Sequence, residues 1–333
     1  MYSIITCFRE AGVYCELVTG VVKAASYIPG ESTFDSLPHS GWVAHRCNNT
    51  YHLTNPTWVT SCLVGNERGG EVVLEIDGDS VLTETTSSSG FTISSFENFW
   101  FCTNPSIFIL HCFPDDDKWQ LLPGEKKSSC EEFATRLTPE SSFFEMELEV
   151  LSADKCTYKS ENGRCWVDIK VVPARIKSLH FMYKLAFVSE SGDMSEVNAA
   201  DFPQLVMKTQ TPDSVSFEVR CPVAGDYMLT IFAGMKEEET KCFEIRIHCL
   251  SPDPACRKLP IDPGHLGFGF NSTAVDVGLS HPSFAHPTLK VQSSDTLEKK
   301  EKLKFKVDHD MIDDYMFSSD IIGDEVEEAG LSQ

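Results

Sequence analysis

Residues 99–114 read FWFCTNPSIFILHCFP, and WQLL follows at residues 119–122. This run closes a first unit that we place at residues 1–123. At the start of the unit, apolar residues at positions 4, 5, 8 and 11 follow a helical repeat that Gly12 can end. Asn48-Asn49 separates two short apolar runs and predicts a hairpin turn, because asparagine tolerates positive φ. With a strand at 72–76 and a loop at 83–90, the unit is predicted to be α+β.

From residue 141 the pattern changes to short alternating runs separated by turn residues. Apolar side chains alternate along residues 165–171, 179–187, 217–221 and 227–231. Asn162-Gly163 and Gly225-Asp226 are predicted turns, and the spacing of the runs fits about seven strands between 141 and 250. The pattern predicts an immunoglobulin-like β-sandwich.

The remaining boundaries follow from composition and from an internal echo. Residues 124–140 are predicted to be a linker, 141–250 the β-sandwich module, and 251–284 a Pro-rich linker. Residues 289–295 (LKVQSSD) echo 148–154 (LEVLSAD), so a second β-module is expected to begin within 285–333. Fewer than fifty residues then remain, too few to close a sandwich core, and they end in an acidic tail. We therefore expect this module to be incomplete.

The charge and hydropathy of the chain exclude several classes of partner. A formal net charge of -22 and an isoelectric point near 4.8 disfavour nucleic acids and anionic membranes, which require clustered Lys and Arg. No run of eighteen apolar residues is present, and Arg9 and Glu10 interrupt the first apolar segment. We expect a cytosolic protein without membrane insertion, suited to a basic or neutral protein partner.

The cysteines do not predict a disulfide framework or a zinc ribbon. There are thirteen, an odd number, at irregular spacings and without a C-x-x-C pair. Cys165, Cys221 and Cys242 lie in apolar runs and are predicted to be buried thiols. A secreted adhesion module that carries glycans on Asn48 and Asn271 is a different interpretation, which endoglycosidase treatment of the native protein would test.

The run at 99–122 resembles the kyphoscoliosis peptidase family, whose cognate segment reads F-Y-F-L-T-H-P-x-x-F-I-x-x-H-F-P-x-x-x-x-W-Q-L-L. Residues 227–234 (YMLTIFAG) are similar to a Y-x-L-x-I-F-A-x strand of that family, and residues 267–269 (GFG) are similar to its G-x-G linker. The resemblance implies an α+β transglutaminase-like (papain-like) partial domain, followed by an all-β immunoglobulin-like sandwich and an incomplete second β-module.

In that family the transglutaminase-like domain carries a Cys-His-Asp triad, in which a thiolate attacks, an imidazole moves the proton and a third group orients the ring. The family histidine lies two residues before a tryptophan in D-H-x-W-N-A-V. Matching Trp42 puts Ser40 at that position and His39 one residue early, where an extended strand turns the side chain to the other face. The family aspartate lies three residues before a tryptophan in L-L-D-x-x-W-G. Matching Trp58 puts Asn55 there, a change that Cys-His-Asn proteases tolerate.

The family nucleophile begins a helix more than one turn before a segment like C-R-E-A-G-I, which matches residues 8–13. The resemblance thus places the reactive cysteine before Met1. Cys7 lies about three turns past the reactive end of such a helix, or about 10 Å at 1.5 Å per residue, and lacks the N-terminal dipole that lowers a thiol pKa. It remains a weak candidate beside His39.

Other cysteine and histidine combinations are not favoured by their spacing. Cys15, Cys47 or Cys62 could pair with His45 or His52, but these residues follow core or strand patterns. Intervals of six and seven between His39, His45 and His52 fit neither a helical nor a strand metal pair. We therefore expect no catalytic residue, no metal and no cofactor, with Ser40 and Asn55 as degenerate positions.

The resemblance also implies links to the cytoskeleton. The leading hypothesis is a catalytically inactive transglutaminase/peptidase-like protein that acts as a cytosolic protein-interaction scaffold, with cytoskeletal proteins as partners. The alternative is that the chain is a fragment of an active cysteine peptidase or transglutaminase whose nucleophile lies upstream of Met1.

Overall fold

A computed structural model describes residues 2–24, 27–64, 71–76, 79–84, 91–94, 96–124, 127–152, 154–188, 204–235, 238–253, 256, 259, 279–280 and 306–307. These residues form a mostly β structure with several antiparallel sheets. The chain divides into two compact units, Met1–Thr138 and Pro139–Gln333.

The helices and strands of the first unit follow one another in this order: α1 (Tyr2–Glu10), β1 (Cys15–Val22), β2 (His39–Cys47), β3 (Thr50–Thr54), α2 (Pro56–Thr60), β4 (Ser61–Val64), β5 (Glu71–Ile76), β6 (Asp79–Glu84), β7 (Phe91–Ser94), α3 (Pro105–Phe108), β8 (Cys112–Pro114) and α4 (Cys130–Thr135). The predicted first helix is confirmed, and Gly12 follows it at a φ of 75°. The loop predicted at 83–90 begins later than expected, because β6 continues to Glu84; residues 85–90 lie outside the described part.

The main sheet of this unit has the strand order β3-β2-β1-β8, with antiparallel neighbours. The predicted hairpin turn between β2 and β3 is confirmed, since Asn48 and Asn49 have φ values of 50° and 66°. Two further antiparallel pairs, β4 with β7 and β5 with β6, complete the described strands of the unit.

The two faces of β2 pack against different groups. On one face Trp42 and Ala44 join a core cluster with Phe108 and Cys112. On the other face Val43 packs against Ile5 of α1 and against Cys15. Because side chains alternate along a strand, one step along β2 moves a residue from one group to the other.

Close packing around Trp42 explains a glycine in the neighbouring strand. A Cβ atom added to Gly20 would lie 2.1 Å from the Phe113 carbonyl oxygen and 2.8 Å from the Trp42 ring. Trp42 itself has no exposed surface and meets Phe108 edge to face at 5.6 Å. Glycine at position 20 thus allows the strands and the indole to approach each other.

The segment of residues 99–114 packs against β3 and α2. Its Asn104 side chain caps α3, and Pro105 occupies the first turn of that helix. Thr103 bridges to Leu53, and the amide of Asn55 donates to the Trp100 carbonyl at 3.1 Å. These bonds hold the segment next to the end of β3.

Residues 124–140, which we predicted to be a linker, include packed structure. The helix α4 begins with a capping box formed by Ser129 and Glu132. Its Phe133 is 1% exposed and lies in a cluster with Val21 and Phe113. This part of the predicted linker belongs to the first unit.

The helices and strands of the second unit follow in this order: α5 (Ser141–Glu145), β9 (Glu149–Val150), β10 (Thr157–Lys159), β11 (Arg164–Lys170), β12 (His180–Val188), β13 (Val206–Gln210), β14 (Ser214–Arg220), β15 (Gly225–Gly234), β16 (Thr240–Cys249), β17 (Leu279–Ser280) and β18 (Lys306–Val307). Two four-stranded sheets have the orders β10-β16-β15-β12 and β13-β14-β11-β9. Their alternating residues supply fully buried side chains, among them Val167, Phe217 and Leu229. The structure between 149 and 249 thus has eight described strands, against about seven expected.

A tyrosine corner fixes the turn that leads into β15. The Tyr227 hydroxyl donates to the Val223 carbonyl at 2.9 Å and accepts from the Val223 amide at 3.3 Å. The turn predicted at Gly225-Asp226 was wrong, because Gly225 already begins β15 and pairs with Cys249. The turn at Asn162-Gly163 is confirmed by positive φ values of 50° and 70°.

The chain beyond the sandwich is described only in part. An antiparallel pair joins β17 and β18. The other residues of the predicted second module at 285–333 lie outside the described part of the chain. No helix built from described residues is long and apolar enough to cross a membrane.

Candidate functional site

His39 and Ser40 begin β2, opposite Val21 and Gly20 of β1. The His39 side chain is 64% exposed, and its Nε2 lies 3.6 Å from Oδ1 of Asp115. Asp115 also accepts a hydrogen bond from Thr19 at 2.6 Å. His39 therefore lies in a polar surface contact, and Ser40 is half-buried beside it.

Asn55 is buried and acts as the cap of a helix. Its side chain is 1% exposed, and its Oδ1 accepts the amides of Thr57 at 3.2 Å and Trp58 at 3.3 Å. Its Nδ2 donates to Sγ of Cys112 at 3.9 Å. Burial raises the pKa of that thiol well above its usual value, so Cys112 is neutral. The side chain of Asn55 thus meets the first-turn amides of α2 and an uncharged thiol.

Cys7 is exposed near the middle of α1. Its carbonyl accepts the amide of Ala11, as expected within a continuing helix. The described contacts of His39, Asn55 and Cys7 lead to different neighbours and do not bring these residues together.

A different thiol and imidazole do meet. Sγ of Cys102 lies 3.6 Å from Nε2 of His45, and the same nitrogen lies 3.1 Å from Oγ1 of Thr54. The amide of Cys102 donates to Thr54 Oγ1 at 3.1 Å. A single threonine hydroxyl thus contacts both members of the pair.

Local structure explains how these residues converge. His45 pairs with His52 across the β2–β3 hairpin, and Thr54 lies two residues further along β3, on the same face. Cys102 follows a 3-10 helix at Asn98–Trp100 and has a φ of 56°. This left-handed conformation turns the chain so that both the amide and the thiol of Cys102 face the hairpin.

Aromatic rings hold the His45 imidazole in place. Phe8 of α1 stacks on it with ring centroids 4.7 Å apart and an interplanar angle of 19°. His52 and Phe101 lie further away, at 5.7 and 5.9 Å, also with nearly parallel rings. The ring is 4% exposed, so packing rather than solvent sets its orientation.

Burial keeps both reactive groups neutral. Desolvation lowers the pKa of His45, and the neighbouring His52 lowers it further. Desolvation raises the pKa of Cys102, against an opposing effect of the Thr54 hydrogen bond. At neutral pH the pair is a thiol beside an imidazole, unlike the thiolate–imidazolium pair of an activated cysteine protease. The imidazole is nevertheless within reach of the thiol proton.

Sequence reasoning did not find this pair. The combinations of His45 or His52 with Cys15, Cys47 or Cys62 do not include it. The Cys15 thiol donates to the Ile5 carbonyl, and the side chain of Cys62 lies outside the described part. Cys102 is separated from His45 by 57 positions and belongs to a bend. No periodic pattern signals such a contact. Within the described ranges, no group of three or more His, Cys, Asp or Glu residues is arranged to hold a metal ion.

Comparison with known proteins finds a family model and several relatives. A family model described as a KY-like, immunoglobulin-like domain matches residues 130–260. Kyphoscoliosis peptidase of Mus musculus is 26% identical over 282 residues, which are 84% of this chain and 36% of that protein. The Lim and transglutaminase domain protein ltd-1 of Caenorhabditis elegans is 27% identical over 226 residues, 67% of this chain and 29% of that protein. Hillarin of Drosophila melanogaster is 26% identical over 228 residues, 67% of this chain and 26% of that protein. The chain thus spans about a quarter to about a third of the length of these relatives.

Proposed function

We propose that this chain, a distant homologue of kyphoscoliosis peptidase, hillarin and the ltd-1 protein, is a catalytically inactive relative that acts as a protein-interaction scaffold. The chain matches part of the length of those proteins and carries a KY-like immunoglobulin-like domain. In this proposal the first unit is a degenerate transglutaminase-like (papain-like) domain. One relative has transglutaminase in its name, and α1 packs beside a sheet that carries both Trp42 and the strand leading to Trp58.

The hydrogen bonds of the Asn55 side chain are the main support for this proposal. The resemblance assigns the third member of a triad to this position, where a side chain would have to orient an imidazole. Asn55 instead accepts two amides of α2 and donates to Cys112. Ser40, at the position of the base, has a hydroxyl that cannot take a proton from a thiol near neutral pH. Asn55 thus serves as a helix cap, and Ser40 supplies no base.

A test of inactivity follows directly. Purified protein should incorporate no labelled amine into a glutamine-containing protein and should hydrolyse no peptide library. The double variant Ser40→His/Asn55→Asp, which rebuilds the two family side chains, should be equally inactive, because the thiol that contacts Asn55, Cys112, is buried and kept neutral. Turnover by the wild-type protein that iodoacetamide abolishes would refute the proposal.

The scaffold role is supported by charge. A net charge of -22 favours basic or neutral protein surfaces as partners, and we propose cytoskeletal proteins in the cytosol as the class. Co-sedimentation with purified actin and septin filaments, at low and high salt, tests this. Binding to at least one filament that weakens with salt is expected. Absence of binding to both would refute the cytoskeletal assignment while leaving inactivity intact.

The chain matches only part of the length of its relatives, which favours a second candidate function. Because the matched region is 36% of mouse kyphoscoliosis peptidase, the chain could act as one part of a longer cysteine peptidase or transglutaminase. Intact-mass measurement of the endogenous protein distinguishes the two. A mass of 37.2 kDa supports the scaffold, whereas a larger mass with an additional cysteine at a helix start supports the enzyme.

A further inference from the structure

Cys102 and His45 form a contact that the scaffold role does not use. We propose that Cys102 is a thiol modification site, at which His45 accepts the thiol proton and a low-molecular-weight disulfide adds one half of itself to the sulfur. The site is separate from the positions of the family triad and does not depend on whether the chain is catalytically active.

The geometry brings a base to the thiol. The distance of 3.6 Å between Sγ of Cys102 and Nε2 of His45 is within the range of a sulfur–nitrogen hydrogen bond. Phe8 fixes the imidazole plane by stacking at 4.7 Å, so the nitrogen stays directed at the sulfur. In the tautomer that carries its proton on Nδ1, Nε2 is free to accept from the thiol or from Thr54.

The backbone at Cys102 holds the thiol in this place. A φ of 56° is uncommon for a residue other than glycine, asparagine or aspartate, and such conformations concentrate at functional sites. The bond from the Cys102 amide to Thr54 Oγ1, at 3.1 Å, maintains it. Replacement of the threonine hydroxyl would therefore loosen the thiol as well as the imidazole.

The thiol is half-buried rather than enclosed. Cys102 retains some solvent exposure, and the side chain of Phe101 next to it is 43% exposed. The segment that carries Cys102 is thus partly open to solvent, whereas Phe8 covers one face of the imidazole. The buried cysteines of the second unit, such as Cys165 and Cys221, are 4% and 0% exposed and are closed to the same reagent.

The reaction is a thiol–disulfide exchange. The proton of the Cys102 thiol moves to Nε2 of His45, and the sulfur attacks one sulfur of the disulfide. A new S–S bond forms as the old one breaks, and the leaving thiolate takes the proton back from the imidazolium. One disulfide is consumed, and one mixed disulfide and one free thiol are produced, with no other reactant.

The test uses the full chain and oxidised glutathione. Mass spectrometry after digestion gives the rate of modification at Cys102 and at the exposed Cys7, Cys47 and Cys130 in the same sample. His45→Phe removes the base but retains a ring to stack on Phe8. We expect the rate at Cys102 to fall at least about tenfold in this variant, since its thiolate then forms only by loss of a proton to solvent, while the rate at Cys130 is unchanged.

A pH series on the wild-type protein gives a second readout that does not depend on the variant folding. Between pH 6.5 and 8 the rate at an exposed thiol should rise about tenfold per unit, with its thiolate fraction. At Cys102 the internal transfer to His45 makes the rise less than half as steep. The assignment is overturned if Cys102 stays unmodified when Cys130 has reacted. It is equally overturned if Cys102 reacts as fast in His45→Phe as in the wild type, or follows the pH profile of the exposed thiols.

Discussion

Replacing Asn55 by alanine distinguishes a structural cap from a residue retained for chemistry. The substitution removes the acceptor of two amide hydrogen bonds, from Thr57 at 3.2 Å and Trp58 at 3.3 Å. The backbone bond from the Val59 amide to the Asn55 carbonyl stays in place. The perturbation is thus confined to the start of α2 and to the weak contact with Cys112.

The expected cost follows from burial. Loss of an N-cap side chain destabilises a protein by about 1 kcal/mol on average, and by up to about 2 kcal/mol. Because Asn55 is 1% exposed, water does not readily take the place of its side-chain oxygen at the start of α2. We expect Asn55→Ala to lower the free energy of unfolding by about 2 kcal/mol. Asn104→Ala is the matched control, since Asn104 caps α3 with one bond at 2.9 Å but is exposed. It should cost about 0.5–1 kcal/mol.

Urea unfolding followed by tryptophan fluorescence measures both variants. Trp58 lies in α2 and meets Trp100 at a centroid distance of 4.7 Å, so the signal reports the affected region. The midpoint should shift more for Asn55→Ala, with an unchanged slope. If the two substitutions cost the same, or if Asn55→Ala is neutral, the capping account of Asn55 is incorrect and its use in the proposed function fails with it.

Other predictions concern the pH dependence of stability and the packing within each unit. Because the folded state holds the His45 pKa below its usual 6.5, the unfolded state binds the proton first as pH falls, and stability should be lost below about pH 6.5 by at most about 1.4 kcal/mol per unit. Urea titrations at several pH values should show a weaker loss in His45→Phe. Tyr227→Phe should lower the unfolding free energy by about 1–3 kcal/mol, more than Tyr183→Phe, whose hydroxyl donates to the Val206 carbonyl at 3.2 Å; equal urea midpoints would contradict this. Gly20→Ala should cost about 2–3 kcal/mol in a thermal scan, because its Cβ would meet the Phe113 carbonyl.

Local patterns predicted the regular parts of the fold. The helical repeat ended by Gly12, the asparagine turn after β2 and the alternating runs of the sandwich each depend on residues that are close in sequence. The predicted burial of Cys165, Cys221 and Cys242 is confirmed, at 4%, 0% and 0% exposed. The alternating runs at 165–171, 179–187, 217–221 and 227–231 thus correspond to β11, β12, β14 and β15, whereas they do not include β13 or β16.

Contacts between distant segments could not be predicted in this way. Residues 124–140 are predicted to be a linker, yet Phe133 of α4 packs between Phe34 and Phe113. The sequence of this segment alone does not indicate either ring contact. At Gly225 a turn residue proved to start a strand, because pairing with Cys249 overrides the local preference. The Cys102–His45 contact depends on the hairpin register, the 3-10 helix and a left-handed residue at the same time.

Because side chains alternate along β2, Trp42 and His45 lie on opposite faces of this strand. Trp42, which carries the resemblance on this strand, belongs to the core cluster that also contains Cys112, the partner of Asn55. His45 lies on the opposite face, with Phe8 and Cys102. A residue on one face of β2 can therefore be replaced without disturbing the contacts on the other face. An inactive result in the amine-incorporation assay and a modified Cys102 are therefore compatible outcomes with separate physical causes.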